Sequence, residues 1–196
     1  MSDSSKETTE SARERLLEAA RVLFYNDGIA AAGIDAIVKK AGVAKKSLYN
    51  NFASKAELVA TYIEIRHQEW LDLYAERLTQ VSTPKEKVLA VFLAYQDHAD
   101  YAYERGFRGC GLLNAAAELP AGAPGRVAVR KHKEQVESLL AQPLAILCGG
   151  DTARASQIAK HFSFLLEGAM SRAGLEGNSD CVQQATEMAS LMMDAL

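Results

Sequence analysis

Proline and cysteine are scarce in this sequence, with four and three among 196 residues, and no charge-free apolar run is long enough to cross a bilayer. Few prolines leave helices uninterrupted. Cys110, Cys148 and Cys181 are odd in number and lack C-x-x-C spacing, which excludes a disulfide framework and a zinc knuckle and predicts free thiols. The stretch 138–150 carries no charge, but it is short and is broken by Gln142 and Pro143. The polar opening MSDSSKETTESARER lacks the apolar core of a secretory signal, so a cytoplasmic protein without a membrane partner is expected. There is no G-x-S-x-G, no P-loop and no H-E-x-x-H, and His67, His98, His132 and His161 fall on separate segments. His98, flanked by Asp97 and Asp100, reads as a solvated helix surface rather than a ligand set. No enzyme chemistry, cofactor or metal is therefore expected.

Alanine (33) and leucine (22) outnumber valine, isoleucine and threonine (25 together) by more than two to one, a balance that favours helix over strand. The net charge of −3 argues weakly against a nucleic-acid partner, but its distribution argues the other way. Residues 36–56 hold five lysines (Lys39, Lys40, Lys45, Lys46, Lys55) and no acid, whereas residues 61–196 carry 13 basic and 17 acidic residues. One short segment is a cationic island on an acidic chain.

Ser11 and Glu14 have capping-box spacing for a first helix, with Thr8 or Thr9 as an alternative start one turn earlier. Leu16, Ala20, Leu23 and Phe24 form its apolar stripe, and Gly28 ends it. A short helical pattern with Ile34, Ile37, Val38 and Ala41 inward stops at Gly42; a second, over residues 44–51, has Leu48 and Phe52 on its buried side. Two short helices joined at a glycine are the skeleton of a helix-turn-helix. Ser54 and Glu57 then cap a long helix to about Thr79, with Ile63, His67, Trp70, Tyr74 and Leu78 on one face. Further helices are expected over residues 84–104, 112–119, 126–148 (kinked or broken at Pro143), 152–173 and 179–195, with a loop over residues 120–125.

The second helix of such a motif lies in the major groove, so its outward positions must be polar and small or basic. Lys45, Lys46, Ser47, Asn50 and Asn51 occupy these positions, Tyr49 offers a hydroxyl to phosphate, and Lys55 opens the next helix at its positive dipole end. A five-lysine window alone more often marks a solvated face; joined to two short helices and a glycine turn it points to DNA.

The ordered set Leu16-Leu17-Glu18-Ala19-Ala20, Phe24, Gly28, Ile34-Asp35-Ala36-Ile37, Ala41-Gly42-Val43, Leu48-Tyr49-Asn50-Asn51-Phe52 and Ser54-Lys55-Ala56-Glu57-Leu58 resembles the TetR family of bacterial transcriptional regulators over residues 9–60. By that resemblance Tyr49 and Lys55 are a phosphate-contacting pair and the other five face the groove. Gly33 and Ala44 stand where the family usually has a capping serine or threonine, and Lys46 where a glycine often stands. The resemblance implies an all-α fold of about nine helices: an N-terminal arm and three-helix DNA-binding domain (1–53), then a helical effector-binding and dimerisation domain (54–196). It implies a homodimer on a palindromic operator in double-stranded DNA, with an effector that moves the helix 55–79. The last two helices would supply the four-helix interface through Phe162, Leu165, Leu166, Met170, Met188 and Met192, whose apolar stripes also fit an intramolecular core.

Trp70, Tyr74, Phe92, Tyr95, Phe107, Cys110 and Asn114 form a candidate lining for a flat or lipophilic small-molecule effector; aromatic filling of a helical core fits each of them equally. Cys110, two residues after Arg108 and near a helix start, is either an inert buried thiol or a reactive one. The expected function is a DNA-binding transcriptional regulator, a repressor released by a small, largely apolar effector. The alternative is a helical ligand or redox sensor, using the Cys110 thiol, whose motif reads DNA weakly or not at all.

Overall fold

The computed structural model describes residues 10–196, so Thr8, Thr9 and most of the N-terminal arm lie outside the described residues. These form nine helices and no strand: α1 (Ala12–Asp27), α2 (Ile34–Ala41), α3 (Lys45–Asn51), α4 (Lys55–Leu78), α5 (Pro84–Asp100), α6 (Gly111–Ala117), α7 (Pro124–Leu147), α8 (Thr152–Glu176) and α9 (Asp180–Met193). They fall into two compact units, one ending at Tyr62 and the other comprising Ile63–Leu196, with the division inside α4.

In the first unit Ser11 caps α1 by a reciprocal pair: its hydroxyl accepts from the Glu14 N–H, and Glu14 Oε2 accepts from the Ser11 N–H at 2.7 Å. Gly42 ends α2 in the left-handed conformation (φ 63°), donating its N–H to the Lys39 and Val38 carbonyls. That turn lets α3 pack back on α1 and α2, and the shared core is Leu16, Ala20, Phe24, Ile37, Leu48 and Phe52. Phe24 meets Tyr62 edge to face at 5.4 Å.

In the second unit α5 packs on α7, α8 and α9, and α7 lies along α8. Val88, Val91 and Phe92 of α5 are fully buried, Phe92 edge to face with Phe162 at 5.8 Å. Gly174 of α8 lies so close to the loop before α6 that a β-carbon there would sit 2.5 Å from the Gly109 nitrogen. Only two glycines allow this approach.

Several helix ends differ from expectation. α5 stops at Asp100 because Tyr101 is extended, so residues 101–104 are not helical. α6 starts and ends early, at Gly111 and Ala117. α7 starts at Pro124, inside the expected loop, since proline has no N–H to lose in a first turn. It also runs unbroken through Pro143, whose ring is buried between the fully buried Leu140 and Leu144. α8 continues to Glu176, ending at Gly177 with φ 75°. Among the described residues no helix is long and apolar enough to cross a membrane.

Candidate nucleic-acid interface and effector cavity

On α3 only Leu48 is fully buried; Lys45, Lys46, Tyr49 and Asn50 are exposed, and Ser47 and Asn51 are half-buried. Lys45 Nζ pairs with Asp35 Oδ1 at 2.8 Å, and that hydrogen bond raises the lysine pKa. Both groups are solvent-exposed, so the pair is easily exchanged for another anion. Asn51 donates its amide to the Ser47 carbonyl at 2.8 Å, bracing the helix. Lys55 Nζ donates to the Ile29 carbonyl at 2.5 Å, which ties the start of α4 to the segment after α1. Neither Gly33 nor Ala44 caps its helix with a side chain, although both have the extended backbone of an N-cap. Ser54 accepts from the Glu57 N–H, and Glu57 accepts from Ala53, one residue earlier than in a standard capping box.

The second unit contains a cavity of about 600 Å³ lined by Ile63, Glu64, His67, Leu112, Gly122, Pro124, Val127, Ala128, Lys131, His132 and Gln135. None of the seven residues expected to form a pocket lines it. Trp70 and Tyr74 stack at 5.6 Å, Tyr95 leans on Trp70 at 5.2 Å, Phe92 lies against Phe162, and Phe107 packs on Tyr103 at 5.9 Å. Asn114 donates to the Arg108 carbonyl. Large rings bury the most apolar area per side chain, and these aromatic residues pack against one another in the core. Trp70 Nε1 is buried without a hydrogen-bond partner.

Sequence reasoning set His67 and His132 on separate helices; the fold brings them together, Nδ1 to Nδ1 at 2.7 Å, with the His132 ring edge-on to Trp70 at 5.4 Å. Burial, then Lys133 and His67, lower the His132 pKa to about 3, so it is neutral at ordinary pH. The helical spacing of 124, 127, 128, 131 and 135 was the available signal for the α7 wall. His98 also departs from expectation. It is buried rather than solvated, with Arg66 Nη2 2.5 Å from its Nε2 and the Tyr103 hydroxyl at 3.1 Å, while its neighbour Asp97 pairs with Arg77. No cluster of three or more metal-ligating side chains occurs among the described residues.

Cys110 is buried at the N-cap of α6, and Lys133 Nζ lies 3.9 Å from its sulfur, 3.3 Å from the Tyr95 hydroxyl and 3.9 Å from Glu167 Oε1. Burial opposes the Lys133 charge, but Cys110, Tyr95 and Glu167 outweigh it and hold the ammonium above its usual pKa. Burial raises the Tyr95 hydroxyl pKa.

Of the six residues expected at a dimer interface, Phe162, Leu166 and Met170 are fully buried within the chain and have no surface to offer a second copy. Met188 and Met192 are exposed and Leu165 half-buried, and they are joined by residues the sequence stripe did not select, Phe164 (63% exposed) and Leu191 (71%). Phe164, Leu165, Gly168, Ala169, Arg172, Cys181, Gln184, Ala185 and Met188 line a shallow groove on this face of α8 and α9.

These features define a class: an all-helical protein with a lysine-faced helix-turn-helix and a second helical unit that carries an open cavity. Residues 16–62 match the family model of bacterial regulatory proteins, tetR family. The chain is 27% identical over 130 residues to the HTH-type transcriptional activator FasR of Mycolicibacterium smegmatis, and 32% identical over 85 residues to the HTH-type transcriptional repressor KstR2 of the same organism. Those matches cover 66% and 43% of this chain but only 59% and 41% of the two relatives. A TetR-family transcriptional regulator from Streptomyces coelicolor superposes with a TM-score of 0.82 at 28% identity, covering 93% of this chain and 95% of that one. Regulatory protein TetR from Rhodobacter sphaeroides superposes at 0.76 and 26%, covering 91% and 97%. The first unit is thus similar to the DNA-binding segment of tetR-family regulators, and the fold of the whole chain is similar to theirs.

Proposed function

We propose that the protein is a dimeric transcriptional regulator that binds a palindromic operator through Lys45, Lys46, Ser47, Tyr49, Asn50, Asn51 and Lys55, and that a small, largely apolar effector releases it as a repressor. The observation that carries this reading is α3 itself, which is anchored by Leu48 and exposes Lys45, Lys46, Tyr49 and Asn50. Exposed amines release counterions when they meet phosphates, so binding must weaken steeply with salt. Two copies are needed to place two such helices one duplex turn apart, and the uncovered apolar face of α8 and α9 is where the second copy docks. α4 carries Lys55 on its first turn and the cavity residues Ile63, Glu64 and His67 further along. An effector that prefers one position of this helix shifts the population competent for DNA.

The test is fluorescence anisotropy on the DNA upstream of its own gene across a salt series. Lys45→Ala with Lys46→Ala is expected to weaken binding and relax base preference, and Lys55→Ala to reduce the salt slope by about 0.9, one phosphate contact's worth. Absence of salt-sensitive duplex binding would refute the reading. The proximity of Lys133 to Cys110 favours a second one, in which oxidation of that thiol changes the protein's state. An oxidant response that persists in Cys110→Ser excludes this alternative.

A further inference from the structure

Asp35 is the last acid before the cationic segment 36–56, and it stands on the first turn of α2 with Oδ1 2.8 Å from Nζ of Lys45, the first residue of α3. Both side chains are exposed, 83% and 54% respectively, so the pair adds little to the stability of the fold. Its place is the notable feature: a carboxylate is held beside a lysine on the face of the motif that carries the proposed DNA contacts.

A donor and an acceptor side by side match the edge that a base pair turns to the major groove. A G·C pair presents the guanine O6 and N7 acceptors beside the cytosine N4 donor. O6 and N4 are hydrogen-bonded to each other and hence about 2.9 Å apart, so Nζ can donate to O6 while Oδ1 accepts from the free N4 hydrogen without the ion pair opening. C·G and A·T in the same orientation set an amino group against the ammonium and a carbonyl against the carboxylate. T·A keeps the order of donor and acceptor, but it puts the thymine methyl beside the ammonium and removes the N7 that guanine supplies. We infer that Asp35 and Lys45 act as one reading unit that selects a G·C base pair in each half-site, guanine against Lys45 and cytosine against Asp35. The inference rests on the DNA-binding reading above and adds Asp35 to its contacts. On other base pairs the carboxylate meets acceptors and repels them, a discrimination that a lone lysine lacks.

The test is selection from duplexes with a randomised palindromic core by the full-length protein, by Asp35→Ala, by Asp35→Asn and by Lys45→Ala. With the unaltered protein one position in each half-site is expected to favour G·C over C·G by at least about tenfold. Asp35→Ala and Lys45→Ala are each expected to bring that ratio below about threefold at this same position and to leave the other positions as they were. Asp35→Asn is expected to raise T·A there at the expense of G·C, because asparagine pairs bidentately with adenine while thymine O4 still meets Lys45. A consensus that either Asp35 variant leaves unchanged, a weakening uniform across sequences, or relaxation at a position that Lys45→Ala does not affect overturns the inference. Asp35 is exposed, so its variants are expected to melt with the parent, and a thermal melt checks this. If the unaltered protein enriches no sequence, the DNA-binding reading itself falls; if it enriches one that Asp35→Ala enriches equally, only the role of Asp35 does.

Discussion

Helices α3 and α9 each present solvent with side chains that their own unit leaves uncovered, and the two rows differ in kind. On α3 the row is Lys45, Lys46, Tyr49 and Asn50; on α9 it is Met188, Leu191 and Met192, continued by Phe164 on α8. Ammonium and amide groups are at ease in water, so the α3 face costs the isolated chain nothing. Apolar area left wet forgoes roughly 25 cal/mol per Å², so the α9 face is a surface that gains by being covered. The same word, exposed, thus describes a finished surface on one helix and an unfinished one on the other.

The sharpest way to break this contrast is Phe164→Asp with Leu191→Asp. The dimer dissociation constant, measured by sedimentation, is expected to rise at least about a hundredfold. If the unaltered protein is monomeric at micromolar concentration, the contrast itself fails.

His132 is the counterpart inside the fold, a base that burial keeps neutral. Its pKa falls from 6.5 to about 3 on folding, so between those values the unfolded chain binds a proton that the folded chain does not. The stability this represents is complete above the upper value and drains away as pH falls, by up to about 1.4 kcal/mol per pH unit. Denaturant melts of the unaltered protein and His132→Phe should therefore converge on acidification through that window; parallel curves would remove the buried base from the account.

A smaller effect tests the motif from the other direction. Ala44 already has the backbone of an N-cap, so Ala44→Ser should stabilise the protein by about 1 kcal/mol in thermal melts. The smallest expected effect is on stability in Lys45→Ala with Lys46→Ala, within about 0.5 kcal/mol of the parent. A larger loss would mean that the lysines pack rather than wait.

The helix-turn-helix was legible because its signals are local. Ser11 and Glu14 are three residues apart, Gly42 adopts the one conformation that favours glycine, and Leu48 and Phe52 mark the buried side of α3. The cavity was not legible. Period alone cannot tell a side chain that faces a void from one that faces a neighbour, so Trp70, Phe92 and Tyr95 read equally as lining and as core; all three are buried. His67 and His132 are 65 positions apart, and only the packing of α4 with α7 joins them. Phe162 and Phe164 differ by two places on one helix, which is enough to send one inward and the other out. The start of α7 could have been read from Pro124, a residue suited to a first turn, had its neighbours Gly122 and Gly125 not suggested a loop.

The meeting of Gly109 with Gly174 brings two main chains together with nothing between them. Such a joint cannot be loosened by degrees: any methyl group added at position 174 is a wedge driven against rigid peptide rather than a pliable side chain. The segment leading into α6 is thus seated on α8 at one incompressible point, where replacement of either glycine disturbs both partners.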